Sequence, residues 1–359
     1  MKKILCLLCA VLALVACDKS DENPTNKPVV KIGVTLPLTG DISHIGNAIK
    51  AALLVAQSDI PSNSKYKYEI IFDDDSYELR KIANNAKKQV SMDHVDAILF
   101  LFDGASSVIA PISESAKIPN IGCTWGAEFY KKYDYSFNHW SRPETQTDAF
   151  IKMLLDNKIK SFSIVMLNYA STAELIEHVK QAAKKNRIKI TSVNIVNGGE
   201  KDFRITIEKI RKQKPDVVML QMLDPELGIF TRQAFQSNLN IPYVAIDQLH
   251  TAANKELLNG AKFVLSYDGS PKFKADLATR TNLPAYPCVA NLVDAFKMIV
   301  AIYEKSDNRP TGAELKDKLY NTKDFDSVLG VHVSVDSDGI IDSPLMRAHI
   351  ENGNVVMEK

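Results

Sequence analysis

"VVKIGVTLPLTGDISHIGNAIKAALLVAQ", residues 29–57, joins two kinds of periodicity across one short polar loop. "VVKIGVTL" is an apolar, β-branched run of strand length, and Ile45 to Gln57 repeats apolar residues at helical spacing. The alternation continues with "YEIIFD" then Glu78–Ser91, "DAILFLF" then Ser106–Ala116, and "IPNIG". A second series begins at "SFSIVML" and runs through a helix at Thr172–Asn186, "IKITSVNIV", a helix at Phe203–Lys212, "PDVVMLQ", a helix at Glu226–Asn238 and "IPYVAID". Strands apolar on both faces, separated by amphipathic helices, form parallel βαβ crossovers. The expected fold class is therefore α/β, with two doubly wound parallel-sheet lobes. "YDYSFNHWSRPETQ", residues 133–146, is aromatic and polar without clear period, which suits a segment crossing between them. Helical patterns follow at Ala285–Lys305 and Gly312–Asn321, with β-rich pieces around "VHVSVDSDG" and "LMRAHIENGNVVM". No strict sequence repeat is visible, so the repetition is architectural.

The 359 residues are 45% hydrophobic and 24% charged, the composition of an ordinary globular protein. With 44 Lys and Arg against 43 Asp and Glu, no basic excess exists to neutralise phosphates, and nucleic acid is not an expected partner. The start of the chain differs from the rest. "MKK" precedes an apolar stretch from Ile4 to Ala16 that is too short to span a bilayer, which takes about 20 residues. Its ending Leu14-Val15-Ala16-Cys17 resembles the lipobox of bacterial lipoproteins, which implies a signal peptide over residues 1–16 and lipid on Cys17. Residues 17–28 lack apolar periodicity and read as a flexible tether. Asp18 directly after the lipid cysteine resembles the signal for retention in the inner membrane. The expected location is thus the periplasm, anchored to the inner membrane, or the outer face of the cell membrane in a Gram-positive source. Beyond the anchor only Cys123 and Cys288 remain. In an oxidising compartment they could pair, although the default reading is of two small buried hydrophobes.

Signatures of catalysis are missing: no Gly-x-Ser-x-Gly, Gly-x-Gly-x-x-Gly, Walker loop or His-Glu-x-x-His occurs, and the seven histidines lack ligand spacing. An enzyme is not expected, and neither a cofactor nor a metal is called for. Asp73–Asp75 read as loop carboxylates at a strand end, and Asp336–Gly339 as a hairpin turn. The informative positions are the carboxyl ends of the strands, where open α/β sheets bind ligands. Ser106 and Ser107 open a helix and either cap it or hold an anionic oxygen. Thr124 and Trp125 follow another strand, and a Trp on a turn suits stacking on a ligand. Asp247 either pairs with a ligand ammonium or serves as a loop carboxylate.

From about Val30 onward the chain resembles the type 1 periplasmic binding proteins, in the leucine/isoleucine/valine-binding branch that serves ABC importers. The resemblance rests on the ordered set of "KIGVTLPLTGDISHIGNAIKAALLVA", "FDDDS", "ASSVIAPISESAKIPNIG", "GGEKDFRITIEKIRKQKPDVVML", "VDAFKMIVA" and "VDSDG". It implies two lobes joined by three crossing segments, residues 29–139 and 267–333 forming lobe 1 and residues 140–266 and 334–359 lobe 2, closing like a hinge on a small ligand, an amino acid first of all. It further implies ligand contacts from Ser106, Ser107, Cys123, Thr124 and Trp125 on lobe 1 and from Tyr169, Leu223, Asp224 and Asp247 on lobe 2, with Asp224 and Asp247 facing an ammonium. The expected partner is an inner-membrane ABC permease, and the body is expected to be a monomer. Two departures fall at the pocket: Asp103-Gly104 stands where the family often has Gly-Pro, and Ser171-Thr172 where it has Tyr-Gly. They point to a non-branched or modified amino acid or another small polar molecule. The same body also serves sensor domains and a lipoprotein activator of peptidoglycan synthases, the alternative class of function.

Overall fold

The computed structural model describes residues 27–126, 128–169 and 171–358. The expected leader, Cys17, Asp18 and the tether up to residue 26 lie outside the described residues. The opening stretch forms β1 (Val29–Leu36) and α1 (Ser43–Ser58), followed by β2 (Lys67–Asp74), α2 (Leu79–Lys88), β3 (Ala97–Leu101), α3 (Asp103–Ala116), β4 (Asn120–Cys123), α4 (Glu128–Lys132) and β5 (Ser136–His139). Next come α5 (Pro143–Asp156), β6 (Ser161–Leu167), α6 (Thr172–Lys185), β7 (Lys189–Val196), α7 (Arg204–Gln213), β8 (Val217–Gln221), α8 (Glu226–Gln236), β9 (Tyr243–Ile246) and β10 (Lys262–Ser266). The chain ends through α9 (Pro271–Thr281), α10 (Val289–Lys305), α11 (Gly312–Tyr320), the short pair β11 (Phe325–Asp326) and β12 (His332–Val333), then β13 (Ile340–Ile341), β14 (Leu345–Glu351) and β15 (Asn354–Met357).

The first sheet has the order β13-β5-β4-β3-β1-β2 and is parallel throughout. The second has the order β15-β14-β10-β9-β8-β6-β7, parallel from β7 to β10 and closed by antiparallel β14 and β15. Central strands β3 and β8 are buried at every residue, which is why their sequences read as unbroken apolar runs. The chain passes between sheets three times, at residues 140–142, 267–270 and 342–344. One detail departs from the division read in the sequence, which put all of 334–359 on the second lobe. Ile340 and Ile341 pair with Asn138 and His139 of β5, so the last passage follows β13.

Local chemistry fixes the opening loop. A Cβ on Gly46 would stand 2.2 Å from the Pro37 carbonyl oxygen, so the glycine lets α1 pack against the loop after β1. Asp74 accepts from the Leu38 N–H at 2.8 Å and from the Thr39 hydroxyl at 2.6 Å, fastening that loop to the end of β2. Asp73 pairs with Lys88, and buried Asp75 accepts from the Tyr77 N–H, so this acidic run holds backbone and neighbours together.

The two cysteines are joined. Cys123 at the end of β4 and Cys288 at the N-cap of α10 form a disulfide with an S–S distance of 2.05 Å, correcting the expectation of two separate buried thiols. The parallel register brings the end of β4 beside the start of a helix 165 residues away, a proximity that no local pattern encodes. Among the described residues no helix is long and apolar enough to cross a membrane.

Candidate ligand-binding site

Between the two lobes, at the carboxyl ends of both sheets, lies a cavity of about 120 Å³. The first sheet's side supplies Ile42 at the N-cap of α1 and Ile45 within it, Tyr77 after β2, Phe102 after β3, and Thr124 and Trp125 after β4, with Pro287 and the Cys123–Cys288 disulfide. Trp140, on the first passage between sheets, adds a fourth apolar aromatic ring. The second side supplies Met166, Tyr169, Ser171 and Leu175 from around β6 and α6, Gln221 and Leu223 from the end of β8, and Asp247, Gln248, His250 and Thr251 after β9. Five wall residues, Tyr77, Phe102, Asp247, Gln248 and Cys288, hold positive φ between 51° and 71°. Non-glycine residues adopt such backbone at a cost that the surrounding fold must offset, and they cluster where a site needs side chains aimed inward.

Of the nine ligand contacts expected from the sequence, the fold brings six to this wall: Cys123, Thr124, Trp125, Tyr169, Leu223 and Asp247. Three are placed elsewhere. Ser106 is fully buried one turn into α3, and the Ser107 hydroxyl donates to the Gly104 carbonyl at 2.8 Å, so neither lines the cavity. Asp224 lines an adjoining groove, where its carboxylate accepts from the Gly228 N–H at 2.9 Å and the Ala253 N–H at 2.7 Å and holds the start of α8. Thr124 reaches the wall with its polar groups committed: its N–H donates to Asn138 Oδ1 at 3.0 Å, and its hydroxyl lies 2.7 Å from that of Tyr130.

A family model for periplasmic binding proteins matches residues 29–354. The chain belongs to the periplasmic binding protein family. It is 24% identical over 323 residues to the Leu/Ile/Val-binding protein BraC3 of Rhizobium johnstonii, covering 84% of this chain and 86% of that one. Its fold is that of the leucine binding protein LivK of Thermotoga maritima, with a TM-score of 0.83 at 20% identity over 92% of this chain and 98% of the other. It also matches a solute binding protein of an ABC transporter from Rhodopseudomonas palustris, solved in complex with 3,4-dihydroxybenzoic acid, with a TM-score of 0.82 at 18% identity over 92% and 96% of the two chains. The resemblance read in the sequence thus holds at the level of family and two-lobed fold.

In this periplasmic binding protein Asp247 is only 4% exposed. Its Oδ1 accepts from the Ser266 N–H at 2.6 Å and its Oδ2 lies 3.5 Å from Gln146 Nε2. Burial pushes this carboxyl up to about 7. Burial also pushes the His250 imidazole down to about 4, and the ring stacks on Phe263 with centroids 6.4 Å apart. Both shifts favour the neutral form of the group. Sequence reasoning found Asp247 because it directly follows a strand; Gln248 and His250, one and three residues further, carry no motif, and the positive φ of Asp247 and Gln248 has no sequence signal beyond that strand end. Trp140 lay within the stretch read as a crossing segment.

Hydrogen bonds run from this site into the first and third passages, through Ser266 at the end of β10 where the second begins. Gln146 Nε2 donates to the Ser266 hydroxyl at 3.2 Å, that hydroxyl lies 3.1 Å from Ser141 Oγ, and Ser141 donates to the Ser343 carbonyl at 2.8 Å. Asn291 then donates to Ser343 Oγ at 2.8 Å, and His139 faces Asp294 at 3.3 Å, all of these side chains being buried. On the surface Arg142 pairs with Asp336 and Asp338, tying the first passage to the turn before β13. A lobe movement about these segments would change the chain of bonds that ends on Asp247.

Proposed function

We propose that the chain is a lipid-anchored solute-binding protein of an ABC importer, which captures one small molecule between its lobes and presents it to a permease in the inner membrane. The observation that carries this reading is the cavity walled from both sides at the carboxyl ends of two parallel sheets and linked through Ser266, at the end of β10, to the first and third passages between lobes. Contacts that exist only when both lobes touch the ligand favour the closed form, so binding shifts an open–closed equilibrium by hinge motion. No bond chemistry enters this scheme. Trp125 and Leu223 supply apolar contact from opposite lobes, and Asp247 accepts N–H groups of the ligand. The lipid on Cys17 and the tether behind it would keep the monomeric body in the periplasm near its permease, since several acyl chains on one residue give lasting attachment. Relatives named for leucine, isoleucine and valine make amino acids and related polar metabolites the first molecules to try.

A thermal-shift screen of protein unfolded and refolded with its disulfide intact tests this. A ligand at 100 times its dissociation constant adds about 2.7 kcal/mol, a rise of several degrees. Silence across a broad metabolite panel would contradict the reading.

A further inference from the structure

We propose that the amino-end edge of the second sheet is a docking surface for a linear polyanion, an envelope polymer with repeating carboxylate or phosphate groups. Three consecutive helix-to-strand loops carry the same basic pair at i and i+2: Lys158 and Lys160 before β6, Arg187 and Lys189 before β7, Lys212 and Lys214 before β8. Lys184 and Lys185 add two cations on the last turn of α6, and all eight residues are exposed. Strands β8, β6 and β7 are neighbours in that order, so the loops lie side by side and the pairs form a row across the edge. The Lys189 N–H donates to the Lys160 carbonyl at 2.8 Å, which holds two of the pairs together.

The row keeps its charge. Among the described residues none of the eight cations pairs with a carboxylate, and the two carboxylates beside these loops are engaged otherwise. Asp216 accepts from the Lys160 and Ser161 N–H groups, both at 2.8 Å, and Asp156 pairs with Lys152 and Arg347. The matching edge of the first sheet differs: in the loop before β3, Asp93 pairs with Lys88 at 2.8 Å and Asp96 with Arg309 at 2.7 Å. With 44 Lys and Arg against 43 Asp and Glu in the whole chain, the row is a local asymmetry and not a general basic character.

Turn chemistry does not demand these residues. Lys158, Arg187 and Lys214 hold left-handed backbone at φ 59°, 57° and 48°, where glycine or asparagine is the common choice. The fourth loop of the series, from α8 to β9, puts Asn238 there at φ 53° and has no charged residue from Gln233 to Pro242. Cations in a last helical turn gain from the helix dipole, which accounts for Lys184, Lys185 and Lys212, whereas Lys158, Lys160, Arg187 and Lys189 stand beyond the helix ends.

Seven of the eight cations are lysines. Lysine is a hydrated point charge on a flexible stem, suited to a diffuse line of anions, whereas protein interfaces favour arginine and exclude lysine. Direction argues against a membrane. Both sheets turn their carboxyl ends to the cavity, so their amino ends face opposite ways, and the chain enters β1 at Val29 on the amino end of the first sheet. Resting on the anchor proposed at Cys17, the row therefore faces away from the membrane that holds the lipid.

The test is fluorescence anisotropy of labelled poly-L-glutamate and, separately, of labelled polyphosphate, each titrated with the protein at about 150 mM salt. The expected result is saturable binding of at least one polymer, with affinity falling steeply as salt rises. Binding of poly-L-glutamate assigns repeating carboxylates to the row, and binding of polyphosphate repeating phosphates. Lys160→Ala with Lys189→Ala should weaken binding roughly tenfold and lower the slope of log affinity against log salt by about 1 to 2. Lys272→Ala with Lys297→Ala, exposed cations of α9 and α10, should leave both unchanged. No binding of either polymer, an equal loss in both double variants or no loss in the first overturns the proposal. So does stronger binding to phosphatidylglycerol vesicles than to either polymer, which would make a membrane the partner. Each of these results leaves the solute-binding reading standing, since none of the substituted residues lines the cavity.

Discussion

The two walls of the cavity are built differently. The lobe 1 wall is apolar and pinned: aromatic rings stand on strand ends and loops, and a disulfide ties the end of β4 to the start of α10 at the cavity's edge. The lobe 2 wall mixes Met166, Leu175 and Leu223 with the titratable Asp247 and His250, and its Asp247 connects through Ser266 by hydrogen bonds to the first and third passages between sheets. The difference puts a covalently fixed aromatic surface on one side of the cavity and, on the other, polar groups bonded toward the passages between sheets.

The largest way to break that contrast is to release the pinned wall. By loop-closure entropy a bridge spanning 165 residues contributes about 5 kcal/mol, so Cys123→Ala with Cys288→Ala should lower the melting temperature by several degrees. Calorimetry of the double variant beside the oxidised parent reads this, and equal melting would mean that the bridge constrains nothing. Next comes the network beside the passages between sheets. Asp294 is fully buried, accepts from the Val328 N–H at 2.9 Å and faces His139 and Ser327, so Asp294→Ala strands several polar groups and should cost about 3 kcal/mol in urea denaturation. A change below about 1 kcal/mol would contradict the arrangement.

Asp247 gives a pH signature of definite sign. Its folded pKa of about 7 lies above the ordinary aspartate value, so the folded state binds the extra proton and stability falls as pH rises from about 4 to 7. His250, depressed to about 4, acts in the opposite direction, with stability rising as pH rises from about 4 to 6.5. The difference between the parent and Asp247→Asn isolates the carboxyl. The variant should gain relative stability as pH rises from 4 to 8, and a flat difference would show that the carboxyl titrates normally. The smallest expected effect is on the apolar wall: Trp125→Ala should weaken ligand binding roughly tenfold with little change in the melting of the empty protein, as judged by titration.

Much of the fold was legible because buried parallel strands cannot hide their apolar runs: β1, β3, β6 and β8 all stand where the pattern put them. β5 was harder. "SFNH" is polar in three of four residues and yet wholly buried, because Asn138 bonds Thr124 and His139 meets Asp294, partners that only the folded sheet supplies. α5 begins within the stretch read as a crossing segment, and Ile340 and Ile341 form too short a strand to signal which sheet they join. At the site, strand-end logic located Trp125, Tyr169 and Asp247 on the cavity wall. It could not foresee that Asp224 would be consumed by backbone N–H groups, that Ser106 would turn into the core, or that Trp140 on the first passage, Gln248 at positive φ and His250 in the short turn after β9 would join the same wall.

Native mass spectrometry of the freshly purified protein, beside Asp247→Ala prepared identically, tests the central claim most directly. The account predicts one small molecule retained per parent chain, lost on refolding and absent or much reduced in the variant. Equal occupancy in both proteins, or a bare parent chain that also ignores every metabolite offered after refolding, would contradict it.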